Sequence, residues 1–148
     1  MNDLRALVEN IIKENTHYVT VDGVTKSVIH QPSFSYTYND KDEKEYNHLV
    51  NIDVEKFDNL FKKSDYYIGH KGLGQIKNRY ENFGNWFKDS DDNLHAPYVS
   101  FNQNNEPEFT NGRHRYAWLR DNNVNTIPMT MSAKDKEIAE KLNLIKGK

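Results

Sequence analysis

Cysteine is absent from the 148 residues. Disulfides, thiolate zinc sites, iron–sulfur clusters and cysteine nucleophiles are therefore excluded. Long apolar runs are also missing: nothing approaches the ~18–20 residues of a membrane span, and mean hydropathy is −0.95. No membrane partner is expected. The N-terminus has no basic stretch leading into an apolar core, so no secretory signal is expected and the reading is cytoplasmic. Neither sign of charge dominates, with 20 basic and 22 acidic residues and a net charge of −2. Proteins that coat nucleic acid are usually far more basic. Alanine is scarce, 5 residues against 19 Asn. Asn, Lys, Tyr and Ile come from A/T-rich codons, the composition of an AT-rich genome such as many phages carry.

Aromatic residues make up 12% and hydrophobic residues 36% of the chain. That is enough to build a core in one domain of this length. Leu4, Leu7, Val8, Ile11 and Ile12 form one apolar stripe, which predicts a helix over residues 4–15. Residues 18–29 hold two β-rich runs around Asp22-Gly23, the signature of a tight hairpin. Residues 33–38 alternate Phe34, Tyr36 and Tyr38 with small polar residues. This reads as a strand with one aromatic face, for a core or for stacking bases. A charged turn over 39–45 follows.

Residues 48–54 read as a strand, and Asp53 can cap a helix over 54–63. A glycine-bearing loop, 69–74, leads into a helix predicted from Gln75, with Gly84 weakening its middle. Beyond an acidic loop, the last third alternates cleanly. It predicts a strand at 97–101, a short strand at 108–110, a helix over 113–122, a strand at 126–131 and a C-terminal helix capped by Ser132. Residues 146–148 read as a frayed tail.

The chemistry concentrates at Asn111-Gly-Arg-His-Arg115, where a strand gives way to a helix. A glycine there lets the backbone approach a ligand closely. The open amides of a helix start favour an anion. Arg113, His114 and Arg115 add donors, and arginine offers a fork matched to phosphate oxygens. The competing reading is a basic surface turn that binds nothing.

Residues 97–129 resemble the core of the ParB/sulfiredoxin-like superfamily. The likeness rests on Pro97-Tyr-Val-Ser, on Phe109-Thr-Asn-Gly-Arg-His-Arg, on Ala117, and on Thr126-Ile-Pro-Met. The upstream stretch from Asn51 to Tyr80 fits the family's helix–loop–helix, so the resemblance covers about residues 47–132. It implies an α/β (α+β) fold: a small mixed sheet with surrounding helices, carrying an added N-terminal helix and β-hairpin. The expected organisation is one domain, 1–148, with an extension at 1–46, the core at 47–132 and a helix and tail at 133–148.

The resemblance also implies a nucleotide or phosphorylated ligand, with Mg²⁺ and ATP or CTP as cofactors. Gly112 would supply backbone, while His114 and Arg115 would hold phosphates. Arg113 falls where sulfiredoxins carry their catalytic cysteine, so that reaction is excluded. The motif commonly opens on Asp, and Asn111 stands there instead, which argues for binding without turnover. Only 16 residues follow Ser132, so a partition protein's helix-turn-helix is not expected. In the resembled family the 69–79 region lines the nucleotide pocket, which would bring Gly72, Gly74, Gln75 and Arg79 to the ligand.

Phosphoryl transfer would need a carboxylate base near the phosphate. Asp53 and Glu55 are the candidates, with His114 as a further catalytic group, although Asp53 also reads as a plain N-cap. The six histidines form no His-x-His or His-x-x-x-His pair, and no metal site is assigned. Trp118 reads as a packing residue, with covering a base as the rival role. Two other functions compete with nucleotide binding. One is a nucleic-acid-directed protein, nuclease-like or DNA-binding. The other is an interaction or inhibitor module that takes a protein partner through residues 1–46.

Overall fold

Asp22 and Gly23 reverse the chain with φ of 49° and 81°, the pair of positive values that a type I′ turn requires. Strand β1 (Tyr18–Val21) thereby pairs antiparallel with β2 (Val24–Ile29). The computed structural model describes residues 17–30 and 48–146. The helix expected over 4–15, the strand at 33–38 and the turn at 39–45 lie outside the described residues.

The architecture is mixed α+β. Strand β3 (His48–Asp53) runs directly into helix α1 (Val54–Phe61). Asp53 caps that helix, its Oδ1 accepting from Lys56 N at 3.2 Å. Helix α2 (Arg79–Asp89), strands β4 (Leu94–His95), β5 (Tyr98–Phe101) and β6 (Pro107–Asn111), helix α3 (Arg113–Asp121), strand β7 (Thr126–Met131) and helix α4 (Ala133–Lys141) follow. The larger sheet has the order β3-β7-β5-β6, with β5 and β7 parallel and the other pairs antiparallel. The smaller sheet, β1-β2-β4, ends on a parallel pair. The two-residue strand β4 has too short a pattern to be read from the sequence.

Three sequence expectations need correction. Helix α2 begins at Arg79, not Gln75, because Lys77 and Asn78 are left-handed (φ 47° and 59°). Gln75 instead caps that helix from outside: its Oε1 accepts from Tyr80 N at 3.1 Å, and its Nε2 donates to Glu81 at 2.9 Å. The chain at 145–146 is not frayed. Ile145 bridges Ile52, and Lys146 N donates to Asn51 O at 2.9 Å, covering the outer edge of β3. Gly84 is less a weak point than a packing requirement. A Cβ there would stand 2.3 Å from Trp118 Nε1.

The core forms from two aromatic groups. Phe57 and Phe61 of α1 meet Phe109 and Tyr116 with ring centroids 5.0 to 5.7 Å apart, mostly edge to face. Such geometry adds to the area term for each pair. Phe83 and Phe87 of α2 close on Trp118, which is buried. Trp118 is thus a packing residue and is not presented to a ligand. Lys26 of β2 is buried over the Trp86 and Phe87 rings, at 4.9 and 5.3 Å. Its ammonium donates to the Ser90 and Asp92 carbonyls, where a helix C-terminus favours a cation. This contact pins the hairpin to α2. No helix among the described residues is long and apolar enough to cross a membrane.

Candidate functional site

The strand-to-helix turn is built around Gly112, whose φ is 89°. A side chain is excluded on packing as well. A Cβ at Gly112 would lie 2.7 Å from Pro97 Cα and 2.8 Å from a guanidinium nitrogen of Arg115. Helix α3 starts immediately after it, and its N-cap residue, Gly112, has no side chain with which to cap the first amides.

The turn opens into a cavity of about 520 Å³, a size typical of small-molecule sites. Every residue of β6 lines it, joined by Gly112, Arg113 and His114 from the turn, Arg79 from the start of α2, and Phe61, Ser64 and Tyr66 from the end of α1 and the loop after it. The sequence-predicted residues Asn111, Gly112, Arg113, His114 and Arg79 therefore meet at one place. Others do not line it. Arg115 lies behind the turn, packed against Gly112, where burial lowers its pKa. Gly72 packs against the Tyr80 ring, Gly74 faces the Tyr67 carbonyl, and Gln75 is engaged as a cap. Asp53 and Glu55 line a separate depression of about 360 Å³ with Arg120, Asn123 and Lys146. There Asp53 serves as the α1 cap and meets Lys146 Nζ at 3.6 Å.

His114 holds the 73–78 loop to α3. Its Nε2 accepts from Ile76 N at 3.1 Å, which requires the ring proton on Nδ1. Desolvation, then the charges of Arg113 and Arg79, lower its pKa below the ordinary histidine value. The unfolded chain consequently binds more protons than the folded one as pH falls below about 6.5. The stability that His114 contributes is complete above that pH and declines toward the lower folded value. Urea midpoints of wild type and His114→Gln at about pH 7.5 and 5.5 check this. Wild type is expected to lose stability relative to the variant at the lower pH.

Arg113 clasps the other side of the cavity. Its Nη1 donates to the Tyr66 carbonyl at 3.1 Å, and its guanidinium sits 5.6 Å above the Tyr66 ring. Behind this wall lies a polar network that sequence reading missed. Asp58 accepts from Tyr67 at 2.7 Å, Tyr116 at 2.8 Å and Arg120 at 3.0 Å. Arg120 also bonds Asp121 at 3.1 Å, which accepts from Tyr80 at 2.7 Å and from Lys71 N at 3.0 Å. Burial alone would raise the Asp121 pKa, but bonds from Tyr80 and Arg120 outweigh it and hold the carboxyl low. Burial and the Asp58 bond push Tyr67 up to about 12. The network ties the 64–72 loop to α1, α2 and α3, and so sets where Tyr66 stands. Its bonded pairs are up to 62 residues apart, a separation over which no local pattern gives a signal.

Among the described residues no group of three or more acidic or histidine side chains could hold a metal. Glu108 is the one carboxylate among the described residues that line the cavity. Mg²⁺ bound to ligand phosphates keeps waters and needs only one or two protein carboxylates. No protein-family model matches the chain, and neither a curated protein nor a solved structure matches it significantly.

Proposed function

We propose that the chain binds a phosphorylated small molecule at the Gly112–His114 turn, with a nucleoside triphosphate as the leading ligand. One observation carries this reading: the glycine-capped start of α3 lines a cavity of about 520 Å³ that also presents Arg79 and Arg113. Amides at a helix start and arginine forks together suit a phosphate. The resemblance of the Gly-Arg-His-Arg box and Ile-Pro strand to the ParB/sulfiredoxin-like superfamily supports the same ligand class, with Mg²⁺ and ATP or CTP. Gly112 and the α3 amides would receive phosphate oxygens, Arg79 would neutralise them, and Glu108, which lines the same cavity, would meet the metal's water shell. Asp53 and Glu55 line another depression, so the arrangement favours binding over phosphoryl transfer through those carboxylates.

Thermal melting with ATP, CTP, GTP, UTP and tripolyphosphate, with and without Mg²⁺, tests the reading. A ligand at ~100 times its Kd stabilises by about 2.7 kcal/mol, a shift of several degrees at this size. The shift is expected in wild type and lost in Arg79→Ala, an exposed residue whose removal spares the core. No shift with any of the five would overturn the proposal.

A further inference from the structure

Tyr66 is 71% exposed, an unusual position for so large a ring. It is nevertheless fixed. Its amide donates to Ser64 Oγ at 3.0 Å, its carbonyl accepts from Arg113, and the next residue, Tyr67, is anchored on Asp58. The Arg113 guanidinium occupies one side of the ring. A ring held at its backbone, backed by a cation and still largely exposed, is a preorganised stacking platform.

The rest of the cavity matches what a stacked ring would need. The same cavity is lined by β6, an edge strand whose only partner among the described residues is β5. Alternate residues of a strand turn their backbone groups away from its neighbour. A planar heterocycle lying on Tyr66 would share the cavity with that strand, whose Glu108 and Thr110 are exposed. A phosphate joined to that ring would reach the Gly112–His114 end of the same cavity. We propose that Tyr66 is the ring-binding and specificity-determining residue of this site. It stacks the heteroaromatic ring of a free nucleoside phosphate, with Arg113 backing the other face. This rests on the phosphate reading given above.

Calorimetric titration with tripolyphosphate and with ATP, CTP, GTP and UTP separates the two ideas. At least one nucleoside triphosphate should bind more tightly than tripolyphosphate. Tyr66→Ala should weaken that nucleotide roughly 5- to 100-fold, the range of base–aromatic stacking, and leave tripolyphosphate unchanged. Tyr66→Phe should restore it. Because the side chain is exposed, the alanine variant is expected to melt like wild type. The stacking role is overturned, with the phosphate site intact, if tripolyphosphate binds as tightly as every nucleotide. It is equally overturned if Tyr66→Ala leaves nucleotide affinity unchanged or weakens both probes alike. A short oligothymidylate that binds more tightly than every free nucleotide overturns the assignment to a free ligand. If neither tripolyphosphate nor any nucleotide binds, the phosphate reading itself fails.

Discussion

Asp58→Ala is expected to destabilise the fold by about 3 kcal/mol, at the lower end of what breaking a buried ion pair costs. The carboxylate accepts from two tyrosine hydroxyls and one guanidinium, and the Asp58 and Arg120 side chains are only 19% and 11% exposed. Removing it leaves Arg120 with Asp121 as its remaining carboxylate and strands the Tyr67 and Tyr116 hydroxyls. Each hydroxyl loses an acceptor in a place with little water to replace it. For a domain whose total stability is about 5–15 kcal/mol, this is a large fraction. Urea unfolding measures it as a lower midpoint at unchanged slope. Asp58→Asn retains an acceptor and should lose less. A loss under about 1 kcal/mol for Asp58→Ala would mean that the network is a surface ornament, worth no more than an exposed ion pair.

Gly112→Ala is expected to cost about 2–5 kcal/mol and to remove phosphate binding. Two independent costs add. A left-handed backbone costs an L-residue about 1–2 kcal/mol, and overpacking costs about 1–3 kcal/mol. The clash is with Pro97 backbone at 2.7 Å, which has no flexible end to move aside. The hairpin provides an internal control. Gly23 has φ of 81° but nothing within 4 Å of its missing Cβ, so Gly23→Ala carries the conformational cost alone. Paired denaturation curves should place Gly112→Ala clearly below Gly23→Ala. Equal losses would show that Pro97 and Arg115 yield easily and that the turn is not tightly built. Tripolyphosphate titration of whatever folded Gly112→Ala remains would then report on the site itself.

Much of the local structure was legible in the residues. Asp22-Gly23 names its turn type because few residue pairs accept two positive φ values. Asp53 and Ser132 act as caps where expected, each side chain accepting from the amide three residues on. The Asn111–Arg115 box sits at the strand-to-helix junction as read. Other features were not legible. The start of α2 was misplaced because Ile76 and Tyr80 share helical spacing, while Lys77 and Asn78 adopt a left-handed backbone that apolar periodicity does not register. Arg115 and His114 looked equivalent beside a phosphate. Their fates diverge because successive helix positions face different ways, one packed behind Gly112 and the other toward Ile76.

The sequence by itself determined the kind of chain this is: mixed α+β, free of cysteine chemistry, with a glycine and three basic residues at one junction. Those are consequences of residue type and near-neighbour spacing, which the chain carries wherever it goes. Only the tertiary structure decided which of those residues share a cavity. It set Tyr66 and Arg79 beside the turn, left Arg115, Gln75 and Asp53 outside the described lining of that cavity, and joined Asp58 to Arg120 across 62 residues. Side-chain direction and long-range closure arise from packing the two sheets and four helices of the described residues around two groups of aromatic rings, and no local pattern encodes them.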